Sequence, residues 1–380
     1  MKKTLGIYIH IPFCVRKCNY CDFCSFPSRD GKLTQLYTDE LCRRIRGAKE
    51  LCYEYTVDTV YLGGGTPTLL SAAQAEMIFS ALRESFSVED GCEITVECNP
   101  ATADISYFSA LRGMGASRLS MGLQSVHENE LRALGRIHSY SDLKKTYADA
   151  RAAGFDNISV DLMYGIPEQT VKSFRESLTE LACLAPEHIS AYGLKIEKGT
   201  PFFEKREHIN LPDEDEEYEM YLSCTEILKK YGYKKYEISN FSMPERESRH
   251  NLKYWRGNEY LGFGVAAHSF FGGLRFGNSR DLDAFLRGED IVCERSDETA
   301  VDELTDFVML SLRLSEGMSL KEFEEKAKNG IRAVLPQLDS LMSGGFMRIK
   351  DGRLSFTDKG FFVSNTILSD ILEGIDKFRY

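Results

Sequence analysis

Short β-rich runs alternate with longer helical patterns over the first 240 residues, and this alternation constrains the fold most. Strands that alternate with helices of this length form right-handed βαβ units around a parallel sheet. Six such units are too few for the common closed barrel of eight. We therefore predict an α/β fold, a partial (βα)6 barrel. The predicted strands are Leu5–Ile11, Thr59–Gly63, Glu93–Cys98, Arg118–Gly122, Ile158–Tyr164 and His188–Leu194, and the helices are Leu33–Tyr55, Ala72–Phe86, Ile105–Gly113, Tyr140–Ala153 and Val171–Leu184.

The pattern changes after residue 210. Acidic residues after Pro212 suit a helix N-terminus, so we predict a helix from there to about Tyr231. Residues 242–282 are rich in glycine, asparagine, arginine and aromatics, and we expect residues 241–296 to be an irregular connecting region. Residues 297–380 predict a small helical, winged-helix-like module, which leaves 1–240 as the barrel domain. The predicted elements of this module are helices over 301–314, 320–328, 331–343 and 360–372, and strands over 346–349 and 353–356.

Charge and cysteine content limit the partners of the chain. Lys and Arg number 47 against 58 Asp and Glu, a net charge of −11. This balance argues against sequence-independent nucleic-acid binding, which needs a basic surface. No apolar run is long enough to span a bilayer, and no secretory signal is recognisable. The 11 cysteines are an odd number, so thiol chemistry or metal binding is expected rather than a disulfide framework, and we expect a cytoplasmic location.

Three cysteines, Cys14, Cys18 and Cys21, lie on one short loop after the first strand. Three thiolates can hold three corners of a [4Fe-4S] cluster and leave one iron open to an exchangeable ligand. Cys24 is close enough in sequence to be a fourth ligand, which keeps a four-thiolate zinc site or a closed electron-transfer cluster as alternatives. A third interpretation is that these cysteines are buried structural thiols. The spacing favours the open cluster.

Further along the chain, polar residues and glycines stand at or near the ends of the predicted strands. Ligands of barrel-like α/β folds bind at the C-terminal ends of the strands, so these residues are expected to converge. The alternatives are a simple turn for the glycines, structural ion pairs for the acids and a surface position for the arginine. The candidates are the glycine run 63–65, Glu97, Gln124, Arg136 and Asp161.

The runs Tyr8-Ile9-His10-Ile11-Pro12-Phe13-Cys14 and Gly63–Thr68, together with the cysteine loop, resemble the radical S-adenosylmethionine (SAM) superfamily. More narrowly, they resemble the oxygen-independent coproporphyrinogen III oxidase family and, over nearly the full length, its HemW-type haem chaperone branch. The resemblance implies a [4Fe-4S] cluster and SAM bound at its open iron, with electron transfer to the sulfonium releasing a 5′-deoxyadenosyl radical. It also implies that SAM contacts Tyr8, Gly64, Gly65, Thr66, Glu97, Gln124, Arg136 and Asp161.

Two functions remain open: a haem chaperone that binds haem and passes it to an acceptor protein, and a radical enzyme that decarboxylates a tetrapyrrole. Two departures from the oxidase favour the chaperone. The first strand starts within a few residues of Met1, where the oxidase has an extension, and Asp22-Phe23 follows Cys21 where the oxidase has another cysteine two residues on.

Haem itself needs an iron ligand and cations for its propionates. The candidate ligands are His250, which precedes Tyr254 and Trp255, and His268. A packed structural role is the alternative for both histidines. The cations that could meet the propionates are Lys253, Arg256 and Arg275.

Overall fold

The computed structural model describes residues 3–28, 30–297 and 300–377. Residues 1, 2, 29, 298, 299 and 378–380, which belong to the predicted barrel and C-terminal domains, lie outside the described residues. The strands are β1 Lys3–Ile11, β2 Phe13–Cys14, β3 Phe26–Pro27, β4 Tyr55–Gly64, β5 Val88–Cys98, β6 Arg118–Gln124, β7 Ile158–Tyr164, β8 His188–Gly193, β9 Lys234–Lys235, β10 Asn240–Ser242, β11 Tyr260–Phe263, β12 His268–Phe271, β13 Leu274–Asn278, β14 Val292–Asp297, β15 Met318–Ser319, β16 Met347–Lys350 and β17 Arg353–Phe356.

The helices occupy the connections between strands and most of the C-terminal region. They are α1 Gly31–Gly47, α2 Ala72–Ser85, α3 Ile105–Met114, α4 Glu128–Ala133, α5 Tyr140–Ala152, α6 Val171–Leu184, α7 Pro201–Lys205, α8 Glu214–Lys230, α9 Arg249–Trp255, α10 Leu282–Leu286, α11 Ala300–Ser311, α12 Leu320–Ala327, α13 Ile331–Val334, α14 Leu338–Ser343, α15 Asp358–Phe362 and α16 Ser364–Lys377. None of the described helices is long and apolar enough to cross a membrane.

Six neighbouring parallel strands form the centre of one open sheet, in the order β1-β4-β5-β6-β7-β8. The prediction of six βα units in an unclosed barrel is therefore confirmed. Their outer residues pack against the helices in one hydrophobic core, and the local signals that start the helices are present. Ser71 and Gln74 cap α2 reciprocally, and Asp213 and Glu216 do the same for α8.

The region 241–296 is not irregular, and this prediction was wrong. Strands β11 to β14 extend the main sheet beyond β1, beginning with β11, which runs parallel to β1. Each strand is short and the β12–β13 hairpin turns on Gly272 and Gly273, so composition concealed the pairing. The first predicted helix is also too long: α1 ends at Gly47, and Tyr55 begins β4.

The C-terminal module has a second hydrophobic core, to which Tyr221 of α8 also belongs. Its hairpin β16–β17 turns through Asp351 and Gly352, both with positive φ, and β15 adds a third strand. The helix predicted over 331–343 is divided near Pro336 into α13 and α14, and the last helix into α15 and α16. The three domain boundaries stay predictions.

Candidate functional site

The loop that carries the three cysteines is closed at its base by two short parallel strands, β2 and β3. The Phe26 amide donates to the Pro12 carbonyl at 2.7 Å and fixes the start and end of the loop together. At the far side, Asn19 docks on the end of α4: its backbone and side-chain amides donate to Leu134 and Ala133 at 3.0 and 2.9 Å. The loop is therefore held in one conformation by hydrogen bonds to backbone carbonyls rather than by the cysteines.

The thiols of Cys14, Cys18 and Cys21 lie close enough to influence one another. Burial raises the pKa of Cys14 and of Cys21, and the neighbouring Cys18 sulfur raises both further. Arg136 Nη1 lies 3.5 Å from Cys18 Sγ, and the Thr66 hydroxyl lies 3.7 Å from Cys14 Sγ. Three thiols with adjacent donors fit a cluster, because its positive irons would stabilise thiolates that burial alone disfavours.

Cys24 is separate from these three thiols. Its side chain is buried and its sulfur approaches the Arg280 carbonyl at 4.0 Å, while its own carbonyl accepts a hydrogen bond from His10 Nε2 at 2.7 Å. Among residues 3–28, 30–297 and 300–377, no three metal-ligating side chains converge on a single ion position. In a [4Fe-4S] cluster each thiolate binds a different iron, so the three thiols need not point at one position. In a four-thiolate zinc site all four thiolates must bind the same ion.

The glycines at the end of β4 are required by the protein's own packing. Gly64 has φ +110, and a Cβ there would lie 2.5 Å from the His10 ring. A Cβ at Gly65 would lie 2.6 Å from the Phe13 carbonyl oxygen, and the Gly65 amide donates to Ile11 at 2.8 Å. The run therefore joins the end of β4 to the base of the cysteine loop.

Glu97 lies inside the barrel, one residue before the end of β5. Its carboxylate accepts hydrogen bonds from the Tyr61 hydroxyl at 2.8 Å and from the Gly64 amide at 3.0 Å. Burial raises the pKa of Glu97 to about 7 against the opposing effect of the Tyr61 bond, and the negative Asp161 raises it further. The Tyr8 ring stacks on Tyr61 with centroids 6.3 Å apart. A cationic ligand group would stabilise the ionised form of Glu97, which burial disfavours, so this carboxyl suits such a group.

Arg136 joins the cysteine loop to the ends of β5 and β6. Besides Cys18, its guanidinium donates to the Gln124 side chain, to the Gly122 carbonyl and, at 3.1 Å, to Asn99 Oδ1. The Arg136 Nε is buried with no hydrogen-bond partner among the described residues. An unpaired guanidinium donor of this kind fits a carboxylate.

Asp161 lies in the middle of β7 and completes the polar interior. Burial raises its pKa, while hydrogen bonds from Ser190 and the positive charges of Arg118 and Arg136 oppose that rise. The negative charge of Asp161 also raises the pKa of Glu97, so these two predicted SAM residues share one electrostatic environment. The structure thus brings together Tyr8, Gly64, Gly65, Thr66, Glu97, Gln124, Arg136 and Asp161 at the cysteine loop and in the adjacent barrel interior.

Four interior residues were missed by the sequence analysis: His10, Tyr61, Asn99 and Arg118. His10 Nδ1 accepts from the Tyr8 hydroxyl at 3.0 Å, and Arg118 is only 2% exposed. The signal that could have found them is alternation. His10 and Tyr61 are each two residues from a predicted site residue on the same strand and therefore share its face.

His250 is not placed to bind haem. It is fully buried, hydrogen-bonded to Thr59 at 2.9 Å and to Tyr254 at 2.8 Å, and burial lowers its pKa to about 3. The adjacent Lys253 is also buried and forms a 2.8 Å ion pair with Asp58. The packed structural alternative is the correct one for His250, and Lys253 does not offer a surface charge.

The other haem candidates lie near the surface. His268 is exposed on β12. Arg256 lies 3.7 Å from Glu316, and Arg275 forms an ion pair with Asp306.

A three-cysteine loop at the C-terminal edge of an open parallel α/β barrel is the arrangement of the radical SAM proteins. The family model described as "Radical SAM superfamily" matches residues 8–181, and the one described as "HemN C-terminal domain" matches residues 299–363. The superfamily's cofactors are a [4Fe-4S] cluster and SAM.

Curated relatives extend the likeness to the whole chain. A protein named Heme chaperone HemW from Bacillus subtilis is 31% identical, with 96% of this chain and 98% of the relative covered. Its namesake from Escherichia coli is 32% identical, with 96% and 97% covered. This chain belongs to the HemW family of the radical SAM superfamily. The solved structure of coproporphyrinogen III oxidase (HemN) from Escherichia coli has the same fold, with a TM-score of 0.84, 24% identity, and 99% of this chain and 90% of that chain covered.

Proposed function

We propose that this protein is a haem chaperone, which binds haem and transfers it to an acceptor protein. The observation that carries the proposal is the full-length likeness to relatives named Heme chaperone HemW at 31% and 32% identity. The likeness to the oxidase is 24% and supports the shared fold alone. The acceptor is a protein partner, and the cytoplasmic location stays a prediction.

Cys14, Cys18 and Cys21 are the proposed cluster ligands, and Cys24 is not one of them. When bound, a [4Fe-4S] cluster with an open iron supplies both a coordination position for SAM and an electron. The chain's part is to fix the loop through the Asn19 hydrogen bonds and to shield the site from water.

The proposed SAM contacts divide by charge. The Glu97 carboxylate, held by Tyr61 and the Gly64 amide, is the acceptor for the SAM ammonium group. The free donor of Arg136 is the partner for the SAM carboxylate. Tyr8, Gly65, Thr66, Gln124 and Asp161 support or line the same site, and Thr66 does so through the Cys14 sulfur.

Two parallel assays on one anaerobically reconstituted preparation test the function. The first titrates haem and follows the Soret band. The second supplies coproporphyrinogen III, SAM and a reductant and follows protoporphyrinogen formation. Saturable haem binding without conversion supports the chaperone, and conversion at an enzymatic rate would overturn it in favour of the oxidase.

Cysteine variants within one loop test the ligand assignment. Cys14→Ala is expected to lose the iron–sulfur absorbance after reconstitution, and Cys18→Ala and Cys21→Ala likewise. Cys24→Ala is the matched control, because it removes a buried thiol from the same segment without removing a proposed ligand. A Cys24→Ala protein without cluster, or a Cys14→Ala protein that keeps it, contradicts the assignment.

A further inference from the structure

We propose that His268 is the haem-iron ligand, in a cavity on the strands that extend the sheet beyond β1. This inference rests on the proposed haem-chaperone function and assigns it a site. The cavity measures about 690 Å³, which lies within the range of small-molecule sites. It is lined by residues of β11 to β14, the region that composition left undefined.

His268 lies on the same face of the sheet as the proposed SAM site. Gly6 pairs with Tyr260 across β1 and β11, and Tyr260 pairs with Phe270 across β11 and β12. Because side chains alternate along a strand, Tyr8 shares the face of Gly6, and His268 shares the face of Phe270. The two proposed sites therefore lie on the same face of the sheet.

The His268 imidazole is available for a ligand. It is exposed, and no hydrogen bond or ion pair joins it to another residue of the described chain. Its direct neighbour on β13 is Gly277, which has no side chain to cover the ring. An exposed imidazole is a common haem-iron ligand.

The cavity around His268 has the chemistry that haem requires besides an iron ligand. Tyr260 supplies aromatic surface for the porphyrin, and Arg275 supplies positive charge for a propionate. Phe276 and Arg295 also line the cavity, but they pair with each other across β13 and β14 on the opposite face of the sheet from His268. Arg275 is held in place by Asp306 and by stacking on the Phe270 ring at 4.3 Å. No acidic residue is among those described as lining the cavity. In a chain of net charge −11, this is a favourable local environment for an anion.

A second cavity, of about 360 Å³, lies between the sheet extension and the C-terminal module and includes Trp255. It suits haem less well, because its described lining has no histidine, cysteine, methionine or tyrosine to bind the iron. Its four carboxylates (Glu303, Asp306, Glu316 and Glu322) are matched by four cations (Arg256, Arg275, Lys326 and Arg353), so the missing iron ligand and not the charge separates the two cavities. The partly open cavity at His268 also suits a carrier, which must release what it binds.

Aromatic contacts connect this cavity to the SAM site. Tyr260 packs edge-on against Tyr254 at 4.6 Å, and Tyr254 hydrogen-bonds to His250. His250 in turn lies 5.4 Å from Tyr61, the tyrosine that donates to Glu97. The segment with His250 and Tyr254 therefore forms the wall between the two proposed sites rather than a haem ligand set.

Cys293 is the competing iron ligand in this cavity. Its exposed thiol lies 3.6 Å from the Gly277 carbonyl, across β13 from His268. The Cys293 thiol is engaged by the Gly277 carbonyl, whereas the His268 imidazole makes no hydrogen bond or ion pair with the described residues. We therefore assign the iron to His268.

The test is haem titration of the full-length, anaerobically reconstituted protein by absorbance and electron paramagnetic resonance. His268→Ala is expected to weaken haem binding at least ten-fold and to remove the imidazole-ligated signal, and added imidazole should restore that signal. His208→Ala is the matched control at another exposed histidine, and Cys293→Ser tests the thiol. Both are expected to match the wild type, and all variants should keep their iron–sulfur absorbance.

Unchanged affinity and spectrum in His268→Ala would overturn the His268 assignment while the haem-chaperone function stands. If Cys293→Ser loses the haem-ligand signal while His268→Ala keeps it, the assignment to His268 is overturned in favour of the Cys293 thiolate. A wild-type protein that binds no haem would instead contradict the proposed function itself.

Discussion

The raised pKa of Glu97 makes the stability of the unliganded protein depend on pH, and the isosteric Glu97→Gln variant should remove that dependence. Burial raises this pKa from 4.5 to about 7 in the folded protein. The unfolded chain therefore ionises Glu97 first as pH rises, so the folded state loses stability from about pH 4.5 up to about pH 7. Each unit of difference between the two pKa values corresponds to about 1.4 kcal/mol. The full loss in the free energy of unfolding is therefore about 3.4 kcal/mol.

About 2.5 kcal/mol of this cost falls between pH 5 and pH 8. A glutamine keeps an oxygen to accept from the Gly64 amide and an amide group to donate to Tyr61, but it does not ionise. Glu97→Gln should therefore gain about 2.5 kcal/mol over the wild type between pH 5 and pH 8, whatever its relative stability at pH 5.

The assay is urea unfolding of wild type and Glu97→Gln at both pH values, under reducing conditions and without cluster or SAM. Taking the difference between the two proteins cancels the titration of groups common to both. Circular dichroism reports the whole chain, and the single Trp255 reports the boundary with the C-terminal module. If the free energy of unfolding has the same pH dependence in both proteins, burial does not hold the Glu97 carboxyl neutral and the reasoning is refuted.

Two further outcomes follow from the packing. Gly64→Ala should cost about 2–4 kcal/mol in urea unfolding, because it combines φ +110 with a Cβ 2.5 Å from the His10 ring. Gly91→Ala, at φ +80 with nothing within 4 Å, should cost about 1–2 kcal/mol, and equal costs would argue against the clash. Lys235→Met should cost about 1–3 kcal/mol and speed proteolysis of the C-terminal module, because the buried Lys235 ammonium pairs with Asp358 at 2.8 Å. Unchanged proteolysis would show that this pair does not hold the module.

Much of the barrel was predictable because its signals are local. The strand β7 was predicted at its observed ends, Ile158–Tyr164, and α6 at Val171–Leu184, since buried strands and capped helices carry their own patterns. Strand β11 was missed because its four residues are defined by pairing with β1, which is about 250 residues away in sequence. Nothing in a four-residue window encodes that partner.

The residues of the candidate site were likewise predictable only where their signal is local. Cys14 and Glu97 could be singled out from a loop motif and a strand end. The burial of His250 could not, because it depends on Thr59, a residue of a distant strand. The role of the glycine run was also incomplete, since the sequence suggested closeness to a ligand and the structure shows closeness to His10.

The placement of β11 beside β1 has a consequence for biosynthesis. The amino-terminal strand leads directly into the cysteine loop, yet one of its two edges pairs with residues 260–263. During translation that edge stays uncovered until residues 260–263, about 250 residues further along the chain, have been made. β1 is thus made long before its final neighbour exists, and the cysteine loop that follows it reaches its finished environment only after β11 has been added.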